Sequence, residues 1–122
     1  MWVADLSKGT ERALTAGGTE TIRHARATFV YYEELLERSW KAFWWSPDSR
    51  RLAFLRFDDT DVPRFTLVDD IPIDQEIEIT AYPKPGDPNP IVALGVVPVD
   101  GGKVRWADLS AYDPEDLLIG RV

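Results

Sequence analysis

At 122 residues, with 44% hydrophobic and 29% charged side chains, the chain has the composition of one modest globular domain rather than of a disordered segment. A net charge of −7 argues against nucleic acid, whose binding rests on lysine and arginine neutralising phosphates, and permits a cationic ligand. The absence of cysteine removes disulfide and thiolate chemistry and leaves the compartment open, while no apolar run nears the roughly 18 residues of a membrane span and no charged-then-apolar leader opens the chain.

In chain order, Met1 to Leu6 reads as a strand, Ser7 to Thr10 as a turn and Glu11 to Thr15 as the return strand of a hairpin. Ala16 to Thr19 is a loop, and Ile22 to Thr28 a polar approach to an acidic helix. From Tyr32 to about Phe43 the apolar residues Tyr32, Leu36, Trp40 and Phe43 recur at helical spacing, which predicts that this helix is short and turns one face to a core. Off that stripe, Glu34 with Arg38 and Glu37 with Lys41 are expected to pair at i,i+4, while Glu33 faces another glutamate and lacks such a partner. Phe43 to Ser46 and Leu52 to Phe57 then read as two strands joined by the turn residues Pro47 to Arg51. The second strand is apolar on both alternating faces, with Ala53, Leu55 and Phe57 on one and Leu52 and Phe54 on the other, so it needs cover on both sides.

Beyond it, Asp58 to Asp74 mixes acids, prolines and short apolar pieces, and Gln75 to Thr80 alternates as a half-exposed strand. The proline-rich Tyr82 to Pro90 cannot continue a ladder and reads as an extended loop. Ile91 to Val97 is an apolar strand, Asp100 to Gly102 a hairpin turn and Lys103 to Leu109 its return strand. The tail from Tyr112 to Ile119 suggests a turn with a short strand or helical turn.

Catalytic residues are hard to find. The single histidine, His24, reads as an exposed loop residue. None of Ser7, Ser39, Ser46, Ser49 and Ser110 lies in the G-x-S-x-G elbow of hydrolase nucleophiles. Asp58, Asp59, Asp61, Asp69, Asp70 and Asp74 lack the glycine-centred spacing of a calcium loop, so neither a metal nor another cofactor is expected.

The run Val30-Tyr31-Tyr32-Glu33-Glu34-Leu35, with Trp44-Trp45-Ser46-Pro47-Asp48 close behind it, resembles the dipeptidyl peptidase IV family of serine exopeptidases, as do Phe57 to Pro63 and Tyr82 to Pro90 in the same order. That resemblance implies a mainly β fold, an antiparallel piece of an N-terminal β-propeller of between one and two blades with one short acidic helix. It implies that residues 1–122 form a single partial domain with an arm or insertion at about 58–90, the arm serving dimerisation. It also implies that Glu33 and Glu34 bind the free N-terminal amine of a peptide in the intact parent enzyme, with the catalytic serine, aspartate and histidine on a separate hydrolase domain. On that basis the chain alone is expected to be inactive. The sequence departs from the family pattern at Thr28 and Phe29, where aspartate and tryptophan are usual, and at Tyr32, where an acid or glutamine is usual.

Trp2 to Ser7 echoes Arg105 to Ser110, as one propeller blade echoes the next. A closed propeller needs about four to eight blades. Strands such as Leu52 to Phe57 are therefore expected to lack one cover, and the chain to form a homo-oligomer. The alternative is a stand-alone or engineered self-assembling interaction module with no peptidase role.

Overall fold

A computed structural model describes residues 1–120 and 122. Strands β1 (Trp2–Asp5) and β2 (Thr10–Ala13) form the expected N-terminal hairpin, closed at Gly9 with φ 63°, a left-handed position that glycine takes without a Cβ penalty. The main sheet contains β3 (Ile22–His24), β4 (Phe43–Trp45), β5 (Arg51–Asp58), β8 (Ile91–Pro98) and β9 (Arg105–Trp106), all antiparallel. Both β3 and β4 lie along the same edge of β5, β3 opposite Phe57 and β4 opposite Ala53, so the sheet is four positions wide. Ala25 sits where they meet, held at φ 64° with its N–H on the Leu55 carbonyl.

The remaining strands, β6 (Arg64–Asp69) and β7 (Glu76–Ala81), pair only with each other. They form a hairpin arm whose outer part is open to solvent, with Ile71, Ile73 and Ile77 all largely exposed. The arm is fastened at its root. Arg64 Nη1 lies 2.6 Å from Glu20 Oε1, Tyr82 N donates to the Pro63 carbonyl, and the Phe65, Tyr82 and Phe29 rings pack in series at 5.8 and 4.9 Å.

The expectation that β5 lacks a cover is wrong. Leu55 and Phe57 are fully buried against Ala27, Tyr31, Ala42 and Val92, with Leu117 and Ile119 of the tail packed on the same cluster. Leu52 and Phe54 face the other way and are buried with Leu14, Ala25 and Val97, under Met1 and Val3 of the hairpin. The chain supplies both covers because its two ends fold back onto opposite faces of one strand. The echo between the ends survives as matching turns. Asp5 Oδ1 accepts from Ser7 N at 3.0 Å, and Asp108 Oδ1 accepts from Ser110 N at 3.1 Å.

Tyr31 ties the tail to the core. Its ring is fully buried, edge-on to Phe57 at 4.6 Å, and its hydroxyl accepts from Ile119 N at 3.0 Å. Burial raises the Tyr31 pKa, partly offset by that amide. Tyr31→Phe keeps the packing and leaves Ile119 N without its acceptor, so urea unfolding should show a loss of about 1 kcal/mol.

Three further expectations need revision. Lys103 to Leu109 contributes only Arg105–Trp106 as strand, and β6 forms within a segment that the sequence presented as irregular. His24 is half-buried on β3, edge-on to Phe54 at 5.9 Å, rather than exposed in a loop. Burial and then the positive charges of the N-terminus and Arg56 lower its pKa.

Candidate functional site

The predicted helix from Tyr32 to Phe43 does not form. Helical structure begins at Phe29 and widens into a π-turn over Tyr31–Leu35, closed by Leu36 N donating to the Tyr31 carbonyl at 2.8 Å. Glu37 and Arg38 then take left-handed backbone at φ 51° and 59°, which ends the helix. The chain past that turn is claimed by other partners. Ala27 N donates to the Trp40 carbonyl and Ala42 N to the Ala25 carbonyl, so residues 40–42 join the sheet side instead of a second helical turn. The periodic stripe also divides between the two cores, with Tyr32 and Leu36 packing against the Tyr31 cluster and Phe43 against the Phe54 cluster.

Glu33 and Glu34 stand on this π-turn, which is the only helical element among the described residues. A widened turn rotates successive side chains through less than the roughly 100° of an α-helix, so neighbouring carboxylates can point more nearly the same way. Glu33 is partly covered, at 32% side-chain exposure, and Glu34 is exposed. The pairing differs from the sequence expectation. Arg38 Nε lies 3.5 Å from Glu33 Oε2, and neither Glu34–Arg38 nor Glu37–Lys41 forms as an ion pair.

A stack of side chains holds the returning turn. The Tyr32 and Trp40 rings lie 4.1 Å apart and nearly parallel, at 13°, with the Arg26 guanidinium 5.1 Å from the Trp40 ring centre. Sequence reasoning missed both this stack and the Arg38 contact. Nothing at positions 37 and 38 marks a left-handed turn, as glycine or asparagine would. A groove of about 300 Å³ runs beside the turn, lined by Leu35, Leu36, Glu37 and Trp44 among others, but not by Glu33 or Glu34. The acid pair therefore stands outside the lining of this groove.

Three of the other candidate acids, Asp58, Asp59 and Asp69, make contacts within the protein itself. Asp58 accepts from the Thr60 hydroxyl and lies 3.2 Å from Arg56, which together outweigh its partial burial and lower its pKa. Asp69 accepts from Ile71 N at 3.1 Å. Asp59 is buried beneath the arm root, with Oδ2 2.5 Å from Arg23 Nη1 and Oδ1 without a partner. Among the described residues no group of three His, Cys, Asp or Glu side chains converges as metal ligands would.

Comparison with known proteins shows the family. The model of the dipeptidyl peptidase IV (DPP IV) N-terminal region matches residues 1–122. A probable dipeptidyl peptidase 4 of Emericella nidulans is 36% identical over 95% of this chain, and dipeptidyl aminopeptidase B of Saccharomyces cerevisiae 38% identical over 93%. The chain spans only 16% and 14% of the lengths of those relatives. Among solved structures, dipeptidyl peptidase 4 of Porphyromonas gingivalis superposes with a TM-score of 0.78 at 25% identity, covering 93% of this chain and 16% of that one. With its mostly antiparallel β architecture matching the propeller region of that structure, the chain belongs to the dipeptidyl peptidase IV N-terminal region family.

Proposed function

We propose that this segment is the amine-recognising part of a dipeptidyl peptidase IV-like serine exopeptidase, with Glu33 and Glu34 gripping the N-terminal ammonium of a peptide. The supporting observation is the adjacent acid pair on a π-turn in a chain whose family match runs from end to end. Two carboxylates converging on one ammonium make charge-assisted hydrogen bonds worth about 1.5–3 kcal/mol each. An acetylated terminus offers no charge and is rejected. The pair lies outside the adjacent groove, so the walls that bind the peptide's side chains come from elsewhere in the parent enzyme, as does the nucleophile. This chain does not cleave peptides by itself.

The test is binding of glycyl-prolinamide against its N-acetyl form, followed by NMR of the glutamate carboxyl carbons. The free amine should shift the Glu33 and Glu34 signals and the blocked form should not. Glu33→Gln or Glu34→Gln should weaken binding of the free amine by at least about tenfold, near the low end for one such bond. Equal affinity for both forms, or glutamine variants that bind as the parent, would refute the assignment.

A second reading is carried by the arm, where Val68 pairs with Ile77 and Thr66 with Ile79 to leave an exposed apolar face that suits self-association. Here the chain is a self-assembling interaction module and the acid pair serves no peptidase. A discrete oligomer in solution that binds neither amide favours this reading. A dimer that binds the free amine joins the two, with the arm serving assembly in the same enzyme.

A further inference from the structure

The geometry points to Arg38 as a resident counter-ion of the amine site, occupying the Glu33 carboxylate until a peptide ammonium displaces it. The inference rests on the amine-binding reading above and adds to it a residue that sets affinity.

Four observations carry it. Arg38 is the cation that reaches the acid pair, with Nε 3.5 Å from Glu33 Oε2, while Glu34 makes no ion pair among the described residues. The contact sits on an unfavourable backbone, since Glu37 and Arg38 are both left-handed and neither is glycine or asparagine. That backbone is closed by the turn's own hydrogen bonds, with Arg38 N donating to the Tyr32 carbonyl at 2.9 Å and Ser39 N to the Leu36 carbonyl at 2.8 Å, and Trp40 just after it stacks on Tyr32 with the Arg26 guanidinium 5.1 Å from its ring centre. Finally, the Arg38 side chain is 75% exposed, so it can leave without opening the core.

A guanidinium at this distance and exposure is a weak partner, because water screens the pair and the long side chain loses rotamer freedom in making it. Weakness is what the role needs. A buried arginine would compete with substrate outright, whereas an exposed one neutralises Glu33 in the empty site and yields to an ammonium that touches both carboxylates. Arg38 then swings toward solvent, and no bond to the protein core is broken. The arginine also discriminates. A neutral or blocked peptide terminus brings no charge to replace it and meets a site whose charge is already balanced.

The test compares Arg38→Gln, Arg38→Gly and Arg38→Lys in this chain, titrated with glycyl-prolinamide. Arg38→Gly removes the cation and also relaxes the left-handed backbone, so a folding defect in the glutamine variant does not decide the matter. Both neutral variants should bind the free amine about two- to fivefold more tightly, the range set by one exposed ion pair. Arg38→Lys, which keeps a cation on the same turn, should bind as the parent. Unchanged or weaker binding in both neutral variants overturns the inference, showing that Arg38 is either uninvolved or needed to hold Glu33 in place. If Glu33→Gln abolishes binding while the Arg38 variants change nothing, the amine site stands and only the role of Arg38 falls. If neither the parent nor any variant binds the amine, both fall together.

Discussion

Placing a methyl group at Gly95 lowers stability by about 1–3 kcal/mol, and valine there costs more, because the site has been closed by three side chains. A Cβ at this position would lie 2.8 Å from Phe54 Cζ, 2.9 Å from Trp106 Cζ3 and 2.9 Å from Val104 Cγ1. Gly95 is directly opposite Phe54 on β5 and opposite Trp106 on β9, and those two rings meet edge-on at 5.6 Å across it. Phe54 cannot yield, since it is fully buried against Leu52, Val97 and Leu14. Trp106 is half-exposed and can, so the expected path of relaxation is detachment of the two-residue strand β9. Urea denaturation of Gly95→Ala and Gly95→Val measures the loss. Combining Gly95→Ala with Phe54→Leu should recover part of it, because the two changes share one space. Purely additive losses would show that the glycine is needed for backbone reasons and not for room.

Acidification should stabilise this protein through Asp59, by on the order of 2 kcal/mol between about pH 7 and pH 4. Burial under the arm root pushes the Asp59 carboxyl up to about 6, against the pull of Arg23, with Asp58 adding repulsion and Arg64 opposing it. The short contact to Arg23 favours the carboxylate, but it satisfies Oδ2 alone, and Oδ1 is buried with no donor. An unsatisfied, dehydrated oxygen is costly enough for burial to prevail. The sign comes from proton counts. Between roughly pH 4 and 6 the folded state keeps the proton and the unfolded state has released it, so stability falls as pH rises through that window and the penalty is complete above it. The contribution is fully present below the ordinary value of 3.8.

Asp59→Asn cannot titrate and loses this dependence. The difference in unfolding free energy between the parent and Asp59→Asn, measured across the same pH range, isolates the effect from every other group. A difference that grows in the parent's favour as pH rises would mean that Arg23 holds the carboxylate ionised. The groups facing Asp59 from the neighbouring elements are Arg23 on β3, Asp58 on β5, Arg64 on β6 and, across the water-sized cavity of about 20 Å³, Glu20. Arg64→Gln should therefore raise the Asp59 pKa further and extend the dependence to higher pH.

How much of the fold could be read from the chain depends on which interactions decide each element. The N-terminal hairpin, β5 and β8 were legible because a short turn with glycine, or an unbroken apolar run, decides them locally. The helix was misjudged because its periodicity was accidental. Leu36 and Phe43 have the right spacing for one face and go to opposite cores, a distinction made by the pairing of residues 40–42 with residues 25–27. Strand β6 is hidden among acids and prolines, since among the described residues it pairs with β7 alone and its side chains are mostly exposed. Blade number alone says nothing of the cover that the two ends of the chain can give β5. The structure shows that Leu14 from one end and Leu117 from the other supply it. The acid pair was visible only through family resemblance, because two glutamates on a surface turn carry no chemical signature by themselves. The arginine that meets Glu33 lies in a left-handed turn built from residues that do not announce one.

The arm shares none of its ladder with the blade, and this separates two kinds of constraint on one polypeptide. Positions 66–79 can change in charge, length or greasiness with little effect on the folding of the remainder, provided that Arg64, Phe65 and Tyr82 still seat the root. The hairpin is thus a region where contact preferences can diverge between family members while the main sheet keeps its packing.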